Sequence, residues 1–238
     1  MKLQLIDEFA LDYEFKEILG SDWQSMLEEP LLKTEYMKNL MLFLEESYKQ
    51  GNLNPKKKDV FKTFRNIKFS NVKVVILGSE PYRDFRSMGI PLGNYEKFGV
   101  NYSPELISWN RGIEREFYDG LRMYNEPSLA TLGAQGVLLL DSALTSTDKK
   151  AFDHSIYWKT FIREVLKVIC EWHPATIFVF LGKEAQEFVP VIGKTGYKFL
   201  WEHPTEAIAA KKNWDASVLR EVNSILNYLN GKTEEIYW

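Results

Sequence analysis

Three short apolar runs constrain this chain's fold more than any other feature. VKVVILG (72–78), GVLLL (136–140) and TIFVFLG (176–182) are apolar almost throughout rather than alternating. Runs of that kind read as strands buried on both faces, the signature of a parallel sheet. KFLW (198–201) supplies a shorter fourth. An amphipathic helix is predicted over about 157–172, stopped by His173-Pro174. Further helices are predicted over about 183–188 and 218–229. Upstream, Leu32, Tyr36, Leu40, Phe43 and Leu44 recur at helical spacing before Gly51, and Asn54-Pro55 marks a turn. Strands alternating with helices predict a three-layer α/β/α fold around a central four-stranded, mostly parallel sheet. No linker or repeat interrupts the 238 residues, so one domain over 1–238 is expected, with a helical segment of about 1–70 packed on the core.

Composition narrows the function classes. Cys170 is the single cysteine, which excludes an internal disulfide framework and a metal cluster held by several thiolates. The first fifteen residues, MKLQLIDEFALDYEF, carry acids where a secretion signal is apolar, and no apolar run reaches membrane-spanning length. A cytoplasmic, monomeric protein is expected, with no membrane contact. The net charge of −3 does not advertise broad nucleic-acid binding. Lys56-Lys57-Lys58 and Lys211-Lys212 each read as solvated surface when taken alone, although gripping a few phosphates around one nucleotide needs no basic whole.

In parallel α/β sheets the ligand site lies beyond the carboxyl ends of the strands. After the first run comes Gly78-Ser79-Glu80-Pro81-Tyr82-Arg83, after the second Asp141, and after the fourth Glu202-His203-Pro204-Thr205. Acids and a histidine therefore converge on one edge. Each has a bland alternative as a turn cap, a solvated acid or a loop residue, but together they read as a site.

These segments resemble the motifs of uracil-DNA glycosylases. VKVVILGSEPYR is similar to the family's VKVVILGQDPYH, and LGAQGVLLLDSALT to WAxQGVLLLNxxLT. HPTEA stands where the family carries HPSPL, and DHSIYWKTF resembles SHxxxGWExFT. PLLKTEYMKNLMLFLEE and PKKKDVFKTF resemble its amino-terminal segments, so the likeness runs from about Trp23 to Leu226. The resemblance implies a monofunctional glycosylase that flips a base from single- or double-stranded DNA and cuts its N-glycosidic bond, with no metal and no cofactor. It implies a carboxylate role for Glu80 at the sugar and a donor role for His203 at O2 of the base. Tyr82 matches the residue packed against C5; Ser79, Asp141 and Leu92 fall at base-contacting positions. Arg83, Ser103, Lys183, Thr205 and Ala207 fall at DNA-contacting positions, Ser103 in the phosphate clamp and Ala207 at the wedge.

Several of these positions depart from the family pattern. Glu80 replaces an aspartate and is one methylene longer. Asp141 replaces the asparagine that reads uracil, and a carboxyl suits the N4 amino group and N3 of cytosine. Leu92 replaces a stacking phenylalanine, and Glu105 beside Ser103-Pro104 repels phosphate. The sequence therefore predicts a pocket for a cytosine-type base. A C5-modified or glucosylated cytosine of phage DNA, in an antiviral role, avoids attack on ordinary DNA. A uracil enzyme of base excision repair and a non-catalytic DNA-binding or processivity protein on the same fold are the alternatives.

Overall fold

The computed structural model describes residues 17–51, 53–95, 101–121, 126–148, 150–231 and 234–238. The reading of 1–15 as lacking a secretion signal lies outside them. Two helices open the described chain: α1 (Ser21–Leu27), continued by a π-helical turn at Glu28–Leu32, and α2 (Glu35–Gln50). Then follow β1 (Leu53–Asn54), a 3-10 turn at Lys57–Asp59, α3 (Lys62–Arg65) and β2 (Val74–Gly78). The remaining elements are α4 (Pro104–Phe117), α5 (Thr131–Ala134), β3 (Val137–Asp141), β4 (Ser146–Thr147), α6 (Ser155–Trp172) and β5 (Ile177–Leu181). They continue with α7 (Gly182–Gln186), α8 (Val189–Ile192), β6 (Tyr197–Trp201), α9 (Pro204–Ala209) and α10 (Ser217–Asn230).

The four predicted strands form one sheet in the order β3-β2-β5-β6, and every pairing is parallel. A small antiparallel ladder between β1 and β4, which the sequence does not signal, stands apart. Successive strand residues point to opposite faces, which splits the core in two. Val75, Leu77, Leu138, Leu140, Phe178 and Phe180 pack against α1, α2 and α6. Val74, Ile76, Val137, Leu139, Ile177 and Val179 pack against α4, α9 and α10. The three-layer architecture follows, with all four strands ending on one edge. No helix among the described residues is long and apolar enough to cross a membrane.

The aromatics serve the core. Trp23, Trp109, Trp158, Trp214 and Trp238 are fully buried. Trp23 Nε1 donates to the Ile67 carbonyl at 2.8 Å, and Trp158 Nε1 to Thr145 Oγ1 at 2.7 Å, so these indoles bury area while pairing their polar edge.

The helix α4 is not among those predicted from the sequence. Its start is legible in retrospect: Ser103 is the N-cap, accepting from Leu106 N–H at 3.1 Å, and Pro104 and Glu105 fill the first turn.

Candidate active site

Register builds the site. Gly78 pairs with Asp141 and Leu181 with Trp201, so the ends of β3 and β2 emerge side by side and that of β6 on the same edge, one strand beyond β5. They open on a cavity lined by Glu80, Tyr82, Leu92, Asp141 and His203 together with Val60, Thr63, Ser87 and Gly89. Gly78 leaves room for the carboxyl: a Cβ there would stand 2.7 Å from Asp141 Oδ1. Gly89 has φ +78, and a Cβ on it would fall 1.8 Å from the Asp59 carbonyl oxygen, so only glycine lets this wall close.

The two carboxyls have different surroundings. Glu80 is mostly enclosed, and one oxygen accepts the Phe152 backbone N–H at 2.8 Å. The other lies 3.9 Å from Arg83 Nε. Burial raises the Glu80 pKa, while the Phe152 amide and the Arg83 charge pull it back. Asp141 is buried, and its carboxyl has no hydrogen-bond partner among the described residues. Burial first, and the Glu80 charge second, raise its pKa well above the ordinary value. Environments that push two acids apart assign them different protonation states. Burial pushes Asp141 toward its neutral form more strongly than Glu80, which keeps the Phe152 amide and the Arg83 charge beside it.

His203 caps α9. Its Nδ1 accepts the Thr205 backbone N–H at 3.2 Å and lies 3.0 Å from Thr205 Oγ1, while Glu206 accepts from the His203 N–H at 2.9 Å. With Nδ1 occupied as an acceptor, the neutral ring carries its proton on Nε2. The residue keeps some exposed surface, but its ring is enclosed, and burial lowers its pKa to about 4. His203 is thus a neutral Nε2–H donor at neutral pH.

Tyr82 is held from two sides. Its hydroxyl donates to the Leu92 carbonyl at 2.9 Å and accepts from Ser103 Oγ at 2.7 Å. Asn94 steadies Ser103, accepting its N–H at 2.6 Å and donating to its hydroxyl at 3.2 Å. Burial raises the Tyr82 pKa, so the phenol stays protonated. Leu92 closes this corner with φ +60, a left-handed backbone that costs a leucine roughly 1–2 kcal/mol.

The sequence placed Glu80, Tyr82, Leu92, Asp141 and His203 together, and they line the cavity. Arg83, Lys183 and Thr205 are exposed around it. Two expected DNA contacts are corrected. Ser103 is fully buried, its hydroxyl spent on Tyr82, Asn94 and the α4 cap, which turns its side chain away from the surface. Ala207 is fully buried in the core under α9 and cannot wedge into a duplex. Ser79 does not line the cavity; its hydroxyl donates to Glu184 at 3.3 Å. The sequence reading passed over Phe152, whose left-handed φ of 58° aims its N–H at Glu80, and Asn94, which orders the Tyr82 corner. No single residue type signals either role, because both act through the backbone or at second hand. Among the described residues no three His, Cys, Asp or Glu side chains gather as metal ligands do.

No family model matches the chain. Individual relatives do. It is 33% identical over 222 residues to the uracil-DNA glycosylase of Fusobacterium nucleatum, covering 92% of this chain and 96% of that one. It is 30% identical to the uracil-DNA glycosylase of Bacillus mycoides, over 94% of this chain and 97% of the relative. The mimivirus uracil-DNA glycosylase crystal structure has a TM-score of 0.78 at 17% identity, covering 94% and 90% of the two chains. The enzyme from Nitratifractor salsuginis has a TM-score of 0.60 at 19% identity, covering 84% of this chain and 90% of its own. The two structural likenesses show the same fold.

Proposed function

The chain belongs to the uracil-DNA glycosylase family, and from that premise we propose that it excises uracil from DNA in base excision repair. It is a DNA glycosylase, a hydrolase of the N-glycosidic bond. The observation that carries the uracil reading is the burial of Asp141. Ionised, a carboxylate only accepts and cannot serve O4. Neutral, it has one O–H donor and one carbonyl acceptor, the same inventory as an asparagine amide. In the pose the family resemblance implies, its O–H donates to O4 and its carbonyl accepts from N3–H. The substitution that pointed away from uracil in the sequence becomes compatible with it once the carboxyl is enclosed.

The chemistry follows from the other groups. As the C1′–N1 bond lengthens, positive charge grows on the sugar and negative charge on the base. Ionised Glu80 stabilises the first and orients the water whose oxygen bonds to C1′. The water's proton passes to Glu80 and then to solvent. The His203 Nε2–H supports the anion at O2 of the departing base, which later takes a proton at N1. A neutral donor stays neutral when the base leaves as an anion and needs no proton transfer of its own.

A second reading, plain cytosine, is favoured by the same residue. A neutral carboxyl can carry its proton on either oxygen and so donate to N3 while accepting from the N4 amino group. A bulky C5 substituent has less support. Tyr82 is pinned by Ser103 and Leu92, and in the implied pose it stands against C5. The test is release of free base from oligonucleotides carrying uracil, cytosine, thymine or 5-hydroxymethylcytosine. Uracil should leave fastest, cytosine slower, and the two C5-substituted bases least. Faster release of either cytosine base than of uracil would overturn the proposal.

A further inference from the structure

The lysine run beside the cavity is more than solvated surface. Lys56, Lys57 and Lys58 are exposed on the turn before α3, and Lys62 lies within α3. Among the described residues none of the four forms an ion pair, although eleven such pairs occur elsewhere. The acid within the run, Asp59, turns inward: it is buried and accepts a hydrogen bond from the Tyr95 hydroxyl. The Tyr95 ring then gathers two ammonium groups, Lys56 Nζ at 5.4 Å and Lys62 Nζ at 5.5 Å from its centroid. Burial lowers the Lys62 pKa; Asp59 offsets this, and Arg65 and Lys58 add to it. Cations are collected here on an aromatic platform, and among the described residues none of them forms an ion pair.

Their position ties them to the site. Val60, between Lys58 and Lys62, and Thr63, next to Lys62, line the base cavity. Gly89 lines it too, and a Cβ on Gly89 would lie 3.2 Å from Lys62 Cβ. The lysines therefore stand beside the wall of the cavity. We propose that Lys56, Lys58 and Lys62 form a binding site for the phosphodiester groups of the DNA strand flanking the flipped nucleotide. Three observations converge on it. The chain's net charge is −3, so phosphate attraction must be local. Ser103 and Ala207, the rim positions at which the motifs suggested DNA contact, are buried. Lysine acts as a point charge that meets a phosphate without demanding one geometry, which suits a strand of any sequence.

The inference rests on the glycosylase reading only in taking DNA as the ligand, not on which base is released. The test measures Kd by fluorescence anisotropy for a uracil-containing duplex between about 50 and 200 mM salt. The wild type is compared with the triple variant Lys56→Gln, Lys58→Gln, Lys62→Gln. A control removes the same charge at Lys33, Lys49 and Lys167, each of which is ion-paired. Each lost phosphate contact lowers the slope of log K against log salt by about 0.9, so the triple variant should lose about 2–3. The control should keep the wild-type slope. The single-turnover rate at saturating enzyme should change less than about twofold in the control. An arginine triple variant, which keeps the charge and reports folding, should retain the slope. An unchanged slope in the glutamine variant, or an equal fall in the control, would overturn the site. A wild type that releases no uracil would sink the proposed substrate instead and leave the slopes readable.

Discussion

At the strand ends, motif position and spatial position coincide; at the rim of the cavity they part. Glu80, Asp141 and His203 each follow a strand whose register is fixed by a parallel ladder, and each arrives in the cavity. Ser103 and Ala207 also occupy matching motif positions, yet both are fully buried. The difference is what governs each local conformation. A residue that leaves a buried strand is placed by the whole sheet. Ser103 spends its hydroxyl on the first N–H groups of α4 and Ala207 faces the core from inside α9, whereas His203 caps α9 and still lines the cavity. Motif likeness thus reports the chemistry of the floor better than the contacts of the rim.

The contrast predicts where substitution does most harm. Glu80→Gln keeps the shape but removes the charge, and should slow base release by about 10³-fold while DNA affinity stays within a few-fold. Comparable rates for variant and wild type would remove Glu80 from the chemistry. His203→Ala should cost about 10²-fold, as loss of an oxyanion donor does. Because the ring stays neutral down to about pH 4, its NMR signals should show no titration between pH 8 and 5. A titration near 6.5 would mean the ring is not enclosed as described.

Much of this was legible before any coordinates. The apolar runs at 72–78, 136–140, 176–182 and 198–201 placed all four strands to within two residues, because a strand buried on both faces leaves an uninterrupted signal. α6 and α10 were legible from their apolar stripes. α4 was hidden because Ser103-Pro104-Glu105 fitted a family motif first and a capping signature second. That burial would favour a protonated Asp141 follows from its position after a buried strand, but how completely β2, β3 and the cavity wall enclose the carboxyl was not legible. The Phe152 contact was invisible for a plainer reason: a backbone N–H has no letter in the sequence.

Asp141 allows a sharper test, in which stability and specificity both report. A carboxyl with a raised folded pKa holds a proton that the unfolded chain has released. Its contribution is therefore most favourable below the unfolded value of about 4 and declines as pH rises toward the folded value. Asparagine has no such dependence. Asp141→Asn should match the wild-type melting temperature near pH 4 and exceed it increasingly as pH rises toward the folded pKa of the carboxyl. Uracil release should stay within a few-fold, because the amide presents the same donor and acceptor. Any cytosine release should fall about ten- to a hundred-fold, since the amide cannot move its proton to suit N3. A melting difference independent of pH would show that Asp141 is ionised in the folded protein, and the uracil argument built on its neutrality would fall with it.

The smallest expected effect lies at the rim, with Ser103→Ala. If Ser103 held phosphate, its loss would weaken DNA binding and reduce the salt slope by about one unit, with little change in stability. The structure gives it other work. Its Oγ accepts from Leu106 N–H to cap α4, accepts from Asn94, and donates to Tyr82. Alanine leaves the Leu106 donor unpaired, a loss of about 1 kcal/mol, or a melting temperature lower by about 2–4 °C for a chain of this size. It also frees one of the two ties on the Tyr82 hydroxyl, the remaining one being the Leu92 carbonyl. A looser ring should admit a C5 methyl more readily, so thymine release should rise relative to uracil while the salt slope stays that of wild type. A lower slope with an unchanged melting temperature would return Ser103 to the DNA interface and erase the distinction between floor and rim.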